Sequence, residues 1–63
     1  MESIINAIIN NPKRIAKIRN AKSVLERRNT IKKLIIGESA TQKIRLREDD
    51  FYGILFNIEK EVG

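Results

Sequence analysis

Between Ser3 and Asn10 the apolar residues Ile4, Ile5, Ala7, Ile8 and Ile9 recur at spacings of three and four, which predicts a short helix over residues 3–10 with one apolar face. Asn10 and Asn11 stop it. Pro12 disfavours helical geometry at Asn11 and itself suits the first turn of a new helix, so Asn11 is the expected N-cap of the next element. From there Ile18, Ala21, Val24, Leu25, Ile31, Leu34 and Ile35 keep helix-compatible spacings. Their stripe drifts around the axis as a period nearer 3.5 than 3.6 residues would make it do. One helix over residues 12–36 is expected, a rod about 37 Å long. A compact chain of this size has a radius of gyration of only about 11 Å. The rod must therefore fold back on a second helix or lie across a partner subunit.

Gly37 reads as the C-cap of that rod, and Ser39-Ala40-Thr41-Gln42 as a capping box opening a second long element over residues 40–62. As a helix, this element carries Ala40, Ile44, Phe51, Leu55, Ile58 and Val62 on one face, and the chain becomes a mainly α helical hairpin assembled as a homodimer. A competing pattern lies inside it. Gln42 to Arg47, QKIRLR, alternates strictly, with Ile44 and Leu46 on one side and Lys43, Arg45 and Arg47 on the other, which is the period of a strand. Glu48, Asp49 and Asp50 would then be the acidic entry to a shorter helix from Phe51 to Val62, closed by Gly63. Thr30 to Ile36, rich in β-branched residues, could pair with that strand. Six residues of alternation leave open both the hairpin and an α+β fold with a short strand at 42–47 followed by a C-terminal helix.

Sixty-three residues make one small domain. A chain of this length buries only about 60 % of the surface its unfolded form exposes, and such domains are usually reinforced by disulfides, metals or a second subunit. The sequence has no cysteine and no histidine, so association is the expected reinforcement. The expected seam between subunits comprises Ile18, Ala21, Val24, Leu25, Ile31 and Ile35 of the first rod with Phe51, Leu55 and Ile58 of the second element. A thiol-free chain fits the cytoplasm. The N-terminus MESIINAIINN lacks the basic start of a secretory signal, and no apolar run approaches the 18 or so residues of a membrane span.

Charge changes the picture most. The stretch Pro12 to Ile36, PKRIAKIRNAKSVLERRNTIKKLII, holds nine of the thirteen basic residues and a single acid, Glu26, so it carries +8 while the whole chain carries +5. Solvated helices ordinarily interleave acids among their cations, and this one nearly lacks them. Lys13, Arg14, Lys17, Arg19, Lys22, Arg27, Arg28, Lys32 and Lys33 are thus candidate phosphate contacts, with Lys43, Arg45 and Arg47 as a second set. Arg28 falls within the apolar stripe, and so either pairs with an acid of the second element or marks a seam open to a partner. Glu48, Asp49 and Asp50 read as charges of a helix start or partners for Arg45 and Arg47, because three adjacent carboxylates point in different directions.

The segment QKIRLREDDFYGILFNIEKEVG resembles the front half of ribbon-helix-helix repressors: an alternating basic strand, an acidic helix start, an amphipathic helix and a glycine. The resemblance covers about a third of the chain and stops at Gly63, before the second helix of that family. It implies a two-stranded ribbon whose outward side chains, here Lys43, Arg45 and Arg47, read the DNA major groove.

These patterns lead to a small basic dimeric regulatory protein that binds nucleic acid. The alternative is a non-enzymatic adaptor or inhibitor that binds an acidic protein surface, of the type viruses and mobile elements encode. Catalysis is not expected of a sequence without histidine, cysteine, a glycine-rich phosphate loop or metal-ligand spacing. Nor is a cofactor, a small-molecule substrate or a membrane partner.

Overall fold

The computed structural model describes residues 2–62. Over that span the chain is all helical, with α1 (Glu2–Ile9), α2 (Pro12–Arg19), α3 (Val24–Thr41) and α4 (Glu48–Val62), and no strand occurs among the described residues. The helices α1 and α2 meet at the expected hinge. Asn11 is extended (φ −108°, ψ 106°), and its side-chain oxygen accepts from the backbone N–H of Lys13 at 3.1 Å and of Arg14 at 3.3 Å. Gly63, expected to close the last helix, lies outside the described residues.

The long rod over residues 12–36 does not form. It breaks at Asn20–Ser23, where Asn20 caps α2 and Ser23, extended at φ −146° and ψ 165°, starts α3. Ser23 Oγ accepts from the Glu26 N–H at 3.1 Å, and the Glu26 carboxylate accepts from the Lys22 N–H at 2.6 Å, a capping box in all but the last backbone donor. This turn brings Ile18 of α2 and Ile31 of α3 into one core, both fully buried. The hairpin is therefore built within the basic segment rather than after it.

At the other end, the expected C-cap at Gly37 and capping box at Ser39 are both absent: α3 runs through them to Thr41. One exposed glycine in a helix costs only about 1 kcal/mol, and Ile35, buried on one side, and Glu38, bonded on the other, hold the following turn in place. The Ser39 hydroxyl donates to the Ile36 carbonyl at 2.9 Å instead of capping. The helix ends in a Schellman motif. Lys43 sits in the left-handed region at φ 56°, its N–H donating to the Ala40 carbonyl at 3.2 Å and that of Ile44 to the Ser39 carbonyl at 2.9 Å.

The segment 44–47 that alternated as a strand is extended but unpaired. Its alternation is nevertheless realised: Ile44 and Leu46 pack against the core, while Lys43, Arg45 and Arg47 are exposed. Its expected partner, Thr30 to Ile36, is helical. Glu48, Asp49 and Asp50 form the first turn of α4, where the helix dipole favours negative charge.

The core is aliphatic. Ile4, Ile8, Ile18, Ile31, Ile35, Ile54, Leu55, Ile58 and Val62 come from all four helices and close within one chain. The radius of gyration is 10.6 Å, the compact value, reached by a single chain. No described helix is long and apolar enough to cross a membrane.

Candidate nucleic-acid interface

Folding divides the nine cations of the basic segment into two groups. Arg14 and Arg28 are fasteners. Arg14 Nη1 donates to Glu38 Oε2 at 2.7 Å and to the Ala7 carbonyl at 3.2 Å, tying α2 to α3 and α1. Glu38 in turn accepts from the Gln42 amide at 2.9 Å, and that amide also reaches the Ser3 carbonyl at 3.3 Å. The bond from Gln42, and then that from Arg14, holds the Glu38 carboxyl below its ordinary pKa. Arg28 Nε donates to Glu59 Oε1 at 2.7 Å, joining the start of α3 to the end of α4. Arg28 thus pairs with an acid of the later element, one of the two outcomes its place in the stripe allowed.

The second group is unpaired among the described residues. Lys13, Lys17, Arg19 and Lys22 are exposed along α2 and the turn after it, and Lys33 is exposed on α3. Lys32 and Arg27 are half-buried, and Arg27 Nε is shielded from solvent with no acceptor. The Asn20–Ser23 turn and the Arg14–Glu38 pair bring α2 and α3 against each other. This packs into two adjacent helices a charge that a single rod would have spread over about 37 Å. Lys43, Arg45 and Arg47 project from the connection after α3, with no acid within ion-pairing distance among the described residues, Glu48 to Asp50 included.

The residues expected at a subunit seam scatter. Ile18, Ile31, Ile35, Leu55 and Ile58 lie in the core of one chain, and Ala21 and Phe51 are half-buried. Val24 and Leu25 are 62 % and 70 % exposed. Three further large apolar side chains, outside the expected seam, reach solvent: Ile36, Tyr52 and Phe56. The Tyr52 and Phe56 rings stack at 6.4 Å, and Phe51 meets Tyr52 edge-on at 5.6 Å. The spacing of Tyr52 and Phe56, four residues apart on the solvent side of an amphipathic helix, was the available signal. The described residues contain no cluster of three or more metal-ligating side chains.

No protein-family model matches the chain, and comparisons with curated proteins and with solved structures returned no match.

Proposed function

We propose that this chain is a small basic regulatory protein that binds nucleic acid as a homodimer in the cytoplasm, through the unpaired cations of the α2–α3 hairpin, and that it is not an enzyme. One observation carries the reading: the turn at Asn20–Ser23 doubles the basic segment back on itself and leaves Lys13, Lys17, Arg19, Lys22 and Lys33 exposed without acid partners among the described residues. The lengths agree with it. An eight-residue α2, a four-residue connection and a longer α3 are the proportions of a helix-turn-helix unit, in which the second helix enters the major groove. Asn29 and Lys33 would be its outward residues, with the half-buried Lys32 at their edge and Lys43, Arg45 and Arg47 as backbone contacts. Arg14, engaged with Glu38 and Ala7, is a structural member of the site.

Fluorescence anisotropy with a labelled duplex across a salt series tests this. Six or more phosphate contacts predict an affinity loss of about 10³ or greater between about 50 and 200 mM salt. Absence of binding at the lower salt, or binding indifferent to salt, refutes it.

A second reading is favoured by the exposed Leu25, Ile36, Tyr52 and Phe56: a non-enzymatic adaptor or inhibitor of viral or mobile-element type, docking on an acidic protein surface. Pull-down from nuclease-treated lysate separates the two, since only a protein partner survives that treatment.

A further inference from the structure

The outward ridge of α4 is composed in a way that its own chain does not explain. At 3.6 residues per turn, Asp49, Gly53, Phe56 and Lys60 fall within an arc of about 60°, on the side opposite the buried Ile54, Leu55, Ile58 and Val62. Gly53 is in mid-helix and exposed, and a Cβ built on it meets nothing within 4 Å. Neither packing nor backbone conformation in this chain requires glycine there, although it is the poorest helix former after proline. One turn later Phe56 stands 55 % exposed, its ring held against Tyr52. Asp49 and Lys60 flank the pair, both exposed and neither ion-paired among the described residues.

We infer that a second copy of this chain docks antiparallel along this ridge, each Phe56 lying on the flat surface of the partner's Gly53 and each Asp49 meeting the partner's Lys60. The midpoint between Asp49 and Lys60 coincides with that between Gly53 and Phe56, at the Ile54–Leu55 peptide. One two-fold axis there satisfies both pairs at once, as a self-complementary interface requires. The polarity is decisive. A parallel arrangement would set Asp49 against the partner's Asp49 and aromatic against aromatic, whereas the antiparallel one joins opposite charges and also opposes the two helix dipoles. Glycine lets the helix axes approach closely, and a ring already held by its neighbour loses little freedom on docking.

The area sets the strength. The ridge is a single strip of four residues, Asp49, Gly53, Phe56 and Lys60, about 17 Å long at 1.5 Å per residue. A standard interface buries about 800 Å² per partner, and the dimer accordingly belongs at the weak, reversible, micromolar end.

This inference rests on the homodimer of the proposed function and gives it a surface, but it does not depend on nucleic-acid binding. Its test is sedimentation of the purified full chain without nucleic acid, to about 200 µM, a concentration that saturates a micromolar dimer. Wild type is expected to pass from 7.3 kDa to twice that mass. Phe56→Asp should raise the dimer dissociation constant by about 30-fold or more, with unchanged helical circular dichroism because the side chain is exposed. Asp49→Lys and Lys60→Glu should each weaken self-association several-fold. An equimolar mixture of those two variants should form the mixed dimer in preference to either homodimer, because both cross-pairs are then oppositely charged. A wild-type chain that stays at 7.3 kDa overturns the inference together with the homodimer. A wild-type dimer indifferent to Phe56→Asp, or variants whose mixture shows no preference, overturns the inference alone. Nucleic-acid binding is judged separately by anisotropy.

Discussion

Replacing Lys17 and Lys33 together by alanine separates the cations proposed to contact nucleic acid from those that hold the fold. Both side chains are exposed, one on each arm of the α2–α3 hairpin, and neither has an acid partner among the described residues. Alanine is the better helix former at both positions, so thermal stability should be unchanged or slightly raised. Each lysine that neutralises a phosphate contributes about 0.9 to the slope of log K against log salt on duplex DNA. Removing two contacts should therefore flatten that slope by about 1.8. Arg14→Gln is the contrasting variant. It strips Glu38 of its 2.7 Å ion pair and the Ala7 carbonyl of a donor, with Arg14 31 % and Glu38 12 % exposed. The expected cost is about 1–2 kcal/mol of stability, with the salt slope unaltered.

The assay is anisotropy of a labelled 20-base-pair duplex from about 50 to 300 mM salt, a range over which counterion release dominates affinity, paired with thermal melts of each variant. If the double lysine variant keeps the wild-type slope within its error, the hairpin is not the phosphate-contacting surface. If Arg14→Gln flattens the slope as much as the lysine pair, the division into fasteners and contacts is wrong.

Gly37→Ala should stabilise the chain by about 0.8–1 kcal/mol in a denaturant melt, because Gly37 is inside α3 with no atom within 4 Å of an added Cβ. A glycine C-cap would give loss instead. Lys43→Gly should also stabilise, by about 0.5–1 kcal/mol, since φ 56° is strained for lysine, and a drop in melting temperature would refute the Schellman assignment. Ile35→Ala removes a fully buried side chain and should cost about 2–5 kcal/mol, enough to unfold most of so small a domain; a cooperative melt near that of wild type would contradict the single shared core. Acid stability follows from Glu38. Its folded pKa is lowered, so its contribution is full above the ordinary glutamate value and is lost as pH falls through the folded one. Glu38→Gln should be less stable than wild type at neutral pH and converge with it on acidification, as read by melts across pH.

The Asn11-Pro12 hinge, α1 and the acidic start of α4 were legible because each rests on local chemistry: an N-cap, a proline and a helix dipole. The break at Asn20–Ser23 was not read, because the apolar spacing from Ile18 through Ala21 to Val24 and Leu25 continues unbroken across it. Spacing reports which residues are apolar, not whether the backbone between them is helical. The corrective signal was present in Ser23 and Glu26, a serine followed three residues later by glutamate. Gly37 misled for the converse reason, since glycine marks a C-cap only where the backbone turns left-handed, and here that position fell to Lys43. In 42–47 the inward and outward sides were correctly legible, but alternation says nothing of whether a partner strand exists. The cations of the basic segment were legible as a set. Their division was not, because Glu38 and Glu59 are distant in sequence from Arg14 and Arg28 and become their partners only after α3 and α4 fold back.

With the proposed function, that division would give the basic segment two roles on one scaffold. Arg14 and Arg28 lie near opposite ends of the α2–α3 hairpin, each fastened to an acid on another helix, so the two fasteners hold the hairpin against α1 and α4 without drawing on the outward cations. The α4 ridge carries one cation, Lys60, and its apolar centre faces away from the core that α2 and α3 cover from the other side. A two-fold axis perpendicular to that ridge, as inferred above, would therefore leave each hairpin free and relate the two by symmetry. A pair of symmetry-related basic hairpins matches an inverted repeat in duplex DNA, whose half-sites are themselves related by a two-fold axis. Weak self-association is no obstacle to this. Two protomers held side by side on one duplex meet at a high effective concentration, so a micromolar interface suffices to couple their binding once the first is seated.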